Sequence, residues 1–253
     1  MKAAFTMWKN RRMVILAVVC AAIYGGARAA LMIDFPILAP EFMGMGVANL
    51  LPMLFGLLFG PAGAWGVAIG HLVGDLGALT WTSLFDFVGI FLLGYLPYTM
   101  WATLKPLADG QREPAVRNWR SWTLYILIAF IAAVASSVVV TTWLEVLRYV
   151  PYTVLFVILI IVSVANAFGS LIGGILFFAF NGVVKKRLGL IWWDVMDEQD
   201  IGEPLAGTIG AWLVTGGTLV GTAGTLVGFG GISAGQAIGM FGMVLIVVGS
   251  ILV

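Results

Sequence analysis

The chain has 253 residues, of which 61% are hydrophobic and 10% charged, whereas an average soluble domain has roughly 25% charged residues. This composition argues against a water-soluble domain and predicts a protein embedded in the lipid bilayer. Since 13 Lys and Arg residues stand against 12 Asp and Glu residues, no charge field would attract nucleic acid. One cysteine and one histidine leave no disulfide framework and no cysteine-rich metal site, and we expect no cofactor.

Eight apolar segments approach the length needed to cross a bilayer, about 20 residues. These predicted spans are 13–33, 43–60, 62–80, 84–104, 121–145, 152–184, 205–228 and 235–253. The second and third meet at Gly60-Pro61, where glycine ends one helix and proline starts the next, which favours a tight hairpin. The sixth is too long for a vertical span, so we expect it to tilt or to begin outside the bilayer. The sequence predicts an all-α polytopic membrane protein.

Most basic residues fall in three segments that alternating spans would bring to one side. They are Lys2, Lys9, Arg11, Arg12, Lys105, Arg112, Arg117, Arg120, Lys185, Lys186 and Arg187. Because short cytoplasmic loops keep an excess of Lys and Arg, we expect a cytoplasmic N-terminus in the cell membrane. The first apolar run shows no small-residue cleavage site, which favours a retained span over a signal peptide.

The composition divides the chain into three parts: residues 1–187 with six spans, an acidic cytoplasmic linker at 188–203, and an additional hairpin at 204–253. Trp192 and Trp193 in the linker suit a membrane interface. Glycines at steps of three or four residues predict close helix packing. They are Gly63, Gly66, Gly70 and Gly74 in the third span, and the pairs Gly217/Gly221, Gly224/Gly228 and Gly235/Gly239 in the hairpin.

Polar side chains concentrate at the predicted external ends of the spans. A charge at mid-bilayer costs about 2.5–3.5 kcal/mol, so ionisable residues within spans are functional candidates. Aromatic walls with a few polar groups suit a small heterocyclic ligand. The predicted binding residues are Asn49, Asp75, Trp81, Asp86, Trp143 and Asn166, with Asp34 and Glu41 in a proline-stiffened lid.

Several of these residues also have a structural interpretation. For Asp75 the functional interpretation is favoured, with Arg28 as a partner that would neutralise its charge. His71 is better explained by a bond to a backbone group, and Asn166 by an interhelical hydrogen bond. Asp86 and a neighbouring external residue, Glu145, suit helix capping or solvation at the rim.

Four segments carry a family resemblance: ANLLP at 48–52, LLFGPAGA at 57–64, IGHLVGDL at 69–76 and GYLPY at 94–98. Together they resemble the substrate-binding S components of energy-coupling factor transporters. The resemblance covers residues 13–187 and implies a six-helix bundle, to which the hairpin would be an addition. It also implies an outward pocket for a vitamin or related micronutrient, without choosing among riboflavin, thiamine, cobalamin and a queuosine precursor.

The family's mode of action implies partners. Ala17 and Ala21 match its small-residue motif for docking onto a transmembrane coupling subunit, and two ATPase subunits would supply the energy. This chain lacks a Gly-x-x-x-x-Gly-Lys-Ser/Thr phosphate loop, so ATP hydrolysis would belong to those partners.

Two other functions compete with this interpretation. The alternative is an autonomous secondary transporter in which Asp75 and His71 bind a proton or cation. An intramembrane enzyme is disfavoured, because the sequence lacks a Ser/His/Asp or metal-ligand constellation.

Overall fold

The computed structural model describes residues 1–33, 45–77 and 79–253. Its α-helices are α1 Lys2–Thr6, α2 Arg11–Leu31, α3 Leu51–Phe59, α4 Pro61–Gly74, α5 Trp81–Thr103, α6 Trp119–Val146, α7 Tyr152–Val183, α8 Trp192–Val195, α9 Glu198–Ile201, α10 Gly207–Phe229 and α11 Ala234–Leu252. Two short strands, β1 Met32–Ile33 and β2 Met45–Gly46, pair antiparallel. A 3-10 turn, Val47–Leu50, leads into α3.

Six of these helices are long and apolar enough to cross a bilayer: α2, α5, α6, α7, α10 and α11. They confirm the prediction of an all-α protein with several membrane spans. Eight full spans are not confirmed, because α3 has nine residues and α4 has 14. At 1.5 Å per residue these helices are about 14 and 21 Å long, whereas the hydrocarbon core is about 30 Å thick.

The predicted hairpin at Gly60-Pro61 is present. Gly60 has φ 52°, a left-handed conformation that favours glycine, and Pro61 begins α4. The chain turns so tightly that a Cβ atom built on Gly63 would lie 2.0 Å from the carbonyl oxygen of Phe55. The two short helices therefore lie against each other.

Helices α2 and α4 run parallel with their backbones in contact. A Cβ atom on Gly66 would meet Ala17 and Cys20, and one on Gly70 would meet Ala21 and Gly25. The glycine stripe is thus the packing device that the sequence predicts, and its partner is an internal helix, α2.

The basic segments share one end of the bundle, called the basic end below. There the Trp65 indole donates to the carbonyl of Ala4 at 2.7 Å, and Lys185 pairs with Glu113 at 2.8 Å. Trp192 packs over Gly60 and is buried, so this tryptophan lies in the core and not at an interface. The opposite end carries the turn between α4 and α5, the turn after α6 and the start of α7.

The helices of the C-terminal hairpin pack closely through glycine, as predicted. A Cβ atom on Gly224 would lie 2.3 Å from the backbone nitrogen of Gly239, and one on Gly242 equally close to that of Gly221. The hairpin also packs on the rest of the chain, since the Tyr95 hydroxyl of α5 donates to the carbonyl of Ser250 at 3.1 Å. Of the six long apolar helices, α6 is the most buried. An 18-residue apolar segment of α6 is 72% buried, compared with 33% for the corresponding segment of α11.

Candidate functional site

An ion pair joins α2 to α4 at the end opposite the basic end. Arg28 Nε donates to Asp75 Oδ1 at 2.6 Å, and Nη2 donates to Oδ2 at 3.3 Å. The two side chains are 18% and 17% exposed. Gly74 makes this contact possible, because a Cβ atom there would lie 2.9 Å from Arg28 Cδ. The predicted neutralisation of Asp75 by Arg28 is therefore confirmed.

His71 lies between two carboxylates. Its Nε2 atom is 3.5 Å from Asp75 Oδ2 and 3.7 Å from Asp86 Oδ2, distances too long for a hydrogen bond. Asp75 lies one turn along α4 from His71, and Asp86 belongs to α5. The expected bond from His71 to a backbone group is absent from the described part of the chain, where neither ring nitrogen has a hydrogen-bond partner.

The rest of this site is provided by α5 and α2. Ser83 Oγ donates to Asp75 Oδ2 at 3.2 Å, and Ser83 also closes the capping box with Thr80 at the start of α5. The ring of Tyr24 lies 6.2 Å from that of His71. We call Arg28, His71, Asp75, Ser83 and Asp86 the Asp75 cluster.

Burial within the Asp75 cluster is uneven. The His71 side chain is 4% exposed and that of Asp86 26%. The Asp86 carboxylate is therefore partly accessible, whereas the His71 imidazole is buried. The expectation that Asp86 caps a helix is wrong, because Thr80 and Ser83 form that cap.

A second polar contact joins the turn before α3 to α7. Asn49 Nδ2 donates to Asn166 Oδ1 at 3.2 Å, and Asn166 is buried. Gly169 brings α7 against this turn, since a Cβ atom there would lie 2.3 Å from the Asn49 carbonyl oxygen. The predicted interhelical hydrogen bond of Asn166 is confirmed.

The two predicted aromatic residues occupy different surroundings. Trp143 stacks on Phe85 with ring centroids 5.5 Å apart, which joins α6 to α5. Trp81 is the first residue of α5 and is 72% exposed. Asp34 and Glu41, the predicted lid residues, lie outside the described residues.

Two predicted roles change in the structure. Ala17 and Ala21 are buried against α4, so they do not form a surface for a partner, and the predicted docking would need another face of α2. Glu145 is 6% exposed and lies near Gly239 of α11. It is therefore a buried residue of the α6–α11 interface and is not solvated at the rim.

A cavity of about 350 Å³ lies at the basic end, which the sequence did not indicate. Its charged lining residues are Asp109, Glu113, Arg117 and Arg120. Glu113 already pairs with Lys185. The sequence feature that could have indicated this cavity is a pair of arginines beside Trp119 and Trp122. This pattern is equally typical of ordinary loop charges at a membrane interface.

Sequence reasoning also missed the contact between His71 and Asp86 and the hydrogen bond from Ser83 to Asp75. The i,i+4 spacing of His71 and Asp75 placed them on one face of a helix, but the approach of α5 depends on tertiary packing. Chemically, the cluster can hold or exchange a positive charge. No family model, curated protein or solved structure matches the chain.

Proposed function

We propose that the chain is a membrane-embedded solute-binding subunit, the S component of an energy-coupling-factor type importer for a vitamin or related micronutrient. The observation that carries the proposal is the Asp75 cluster. Ionisable groups within apolar helices are expensive to insert and mark binding or transport sites. This cluster lies at the end of the bundle away from eleven of the thirteen Lys and Arg residues, and the positive-inside rule makes that end external.

The position of the cluster suits capture of a solute from outside. Asp86 is partly exposed, and the connection between α2 and the turn before α3 starts and finishes at the same end, at the β1–β2 pair. The Ser83 hydroxyl, one turn closer than Asp86 to the start of α5, contacts Asp75, so a solute entering there would meet the Arg28–Asp75 pair before His71 and Asp86. Loops held by a rigid scaffold are the usual place for binding residues.

Docking onto a coupling subunit needs an exposed helix face. The outer face of α2 carries Ala22 and Gly26 at spacing four, and nothing lies within 4 Å of a Cβ atom built on Gly26. Small residues at this spacing let two helices approach closely within a membrane. We assign docking to Ala22 and Gly26 in place of Ala17 and Ala21.

One observation favours a second candidate, an autonomous proton- or cation-coupled carrier. A buried imidazole between two carboxylates is an arrangement that proton relays in transporters use. In that case the chain would move its solute without ATPase subunits.

Uptake into proteoliposomes separates the two functions. Vesicles would contain this chain alone, or this chain with the host's coupling and ATPase subunits, and labelled riboflavin, thiamine, cobalamin and queuosine precursor would be offered with and without internal ATP. The S-component proposal predicts uptake only with partners and hydrolysable ATP. Uptake by the chain alone under an imposed proton gradient would support the carrier.

A further inference from the structure

The Asp75 cluster contains more negative than positive charge. Two carboxylates, Asp75 and Asp86, face one guanidinium, and Arg28 is already engaged by both oxygens of Asp75. The carboxylate that remains is Asp86, whose neighbour in the cluster is the His71 imidazole at 3.7 Å. With a neutral imidazole the cluster has a net charge of about −1.

The elements around His71 offer no further positive group. Arg28 and Tyr24 come from α2, Asp75 from α4, and Asp86 with the Ser83 hydroxyl from α5. All Lys and Arg residues of the chain lie within the described ranges, and apart from Arg28 the one away from the basic end is Arg148, exposed on the turn after α6. The segment 34–44 has Asp34 and Glu41 but no Lys, Arg or His, so it can add only negative charge.

His71 provides independent evidence for a missing ligand. The residue is 3% exposed, and within the described ranges neither of its ring nitrogens has a hydrogen-bond partner. Buried polar atoms are almost always hydrogen-bonded, so an unsatisfied pair requires an explanation. The His71 Nε2 atom lies 3.5 Å from Asp75 Oδ2 and 3.7 Å from Asp86 Oδ2, so both carboxylates are next to the unsatisfied nitrogen.

We propose that the Asp75 cluster binds one positively charged nitrogen of a small organic solute between Asp86 and His71. This nitrogen would be an ammonium group or another protonated nitrogen. This inference rests on the proposed role of the cluster in solute binding and adds the chemical class of the solute. A cation restores the charge balance of a site within apolar helices, where a net charge is expensive. A metal ion fits the site less well, since Arg28 already engages both oxygens of Asp75.

The single histidine of the chain makes a direct experiment possible. The full chain, labelled with ¹³C and ¹⁵N histidine in lipid nanodiscs, gives one set of imidazole resonances, which belongs to His71. Methylammonium, acetamide and acetate would be added separately in increasing concentration, with sodium chloride holding ionic strength constant. The proposal predicts saturable shifts of the His71 resonances with methylammonium alone.

Variants at Asp86 connect the result to the cluster. Asp86→Asn should weaken methylammonium binding about tenfold, the loss typical of one charge-assisted hydrogen bond, whereas Asp86→Glu should retain most of it. Asp194→Asn, an exposed carboxylate at the basic end, is the matched control and should change nothing. A thermal unfolding curve for each variant identifies any that fails to fold, and Asp86→Glu then carries the comparison.

Acetate or acetamide binding as tightly as methylammonium would overturn the proposal, and so would methylammonium binding that Asp86→Asn leaves unchanged. These outcomes are independent of the transport experiment. If methylammonium binds through Asp86 while uptake requires neither ATP nor partners, the cation site stands and the S-component function fails. If uptake requires both but selects anionic or neutral solutes, the reverse holds.

Discussion

Arg28 and Asp75 form a bidentate ion pair between α2 and α4, in which Nε and Nη2 of the arginine donate to separate oxygens of the carboxylate. The pair closes the end of the parallel helix contact that Gly66, Gly70 and Gly74 create. The same glycines that allow close packing thus also bring a charged side chain over an apolar helix. Packing and the candidate site are two results of one sequence pattern.

Removing one partner of this pair should destabilise the protein. We predict that Arg28→Met lowers the free energy of unfolding by about 2–3 kcal/mol, somewhat less than a fully buried pair loses, because both side chains retain some exposure. Adding Asp75→Asn should recover part of the loss, since position 75 then no longer carries an uncompensated charge. Unfolding in mixed detergent micelles measures both.

The exposed pair Lys185–Glu113 is the control, and Lys185→Met should change stability by less than about 1 kcal/mol. Equal losses at the two sites would contradict this account.

The close contact between Gly70 of α4 and the backbone of α2 predicts that a side chain added at Gly70 will clash. A Cβ atom on Gly70 would lie 2.6 Å from the carbonyl oxygen of Ala21, so Gly70→Ala must separate α2 from α4 and should lower stability by about 1–3 kcal/mol. Gly216 is also within a helix but has open space around it. Gly216→Ala should leave stability unchanged or raise it by up to about 1 kcal/mol. Thermal unfolding of the two variants decides, and a stable Gly70→Ala protein would show that the helices are not in backbone contact.

The hydrogen bond between Asn49 and Asn166 predicts non-additive substitutions. Either Asn49→Ala or Asn166→Ala should lower the free energy of unfolding by about 0.5–2 kcal/mol, the range for interhelical hydrogen bonds in membranes. The double variant should resemble the single ones, because one bond is lost in each case. Fully additive losses would mean that the two amides act separately.

Orientation in the membrane can be tested with introduced cysteines. Cys20 is the one native cysteine and is buried, so Cys20→Ala provides a background for Tyr149→Cys after α6 and Asp109→Cys at the basic end. An impermeant maleimide added to intact cells should label the first, and label the second only after permeabilisation. The reverse pattern would place the Asp75 cluster on the cytoplasmic side and end the proposed capture from outside.

The outer face of α2 should be needed for assembly but not for folding. Ala22→Leu and Gly26→Leu place bulk on an exposed face, so we expect co-purification of the coupling subunit to fall about tenfold, the effect of losing about 1.4 kcal/mol of association energy. Thermal stability should be unchanged. Gly216→Leu on α10, also in open space, is the matched control and should assemble normally.

The sequence predicted those features that depend on local patterns. The tight turn at Gly60-Pro61 and the close packing of Gly66 and Gly70 follow from residue type and spacing alone, and both are present. The Arg28–Asp75 pair could be anticipated because a charge inside an apolar span requires a partner.

Features that depend on which helices become neighbours could not be predicted. Ala17 and Ala21 read equally well as an internal or an external face, and packing on α4 buries them. The approach of Asp86 to His71 depends on the position of α5, and burial of Glu145 depends on α11. Helices α3 and α4 are shorter than predicted because apolar composition continues through the strand and 3-10 turn at 45–50 and the turn at 75–77.

Native mass spectrometry of the protein, gently extracted from its host membrane, tests most directly whether this chain captures a small solute and works with a coupling subunit and ATPases. The expected result is a complex that retains a small molecule together with coupling and ATPase subunits. A bare or self-associated chain would contradict the proposed function.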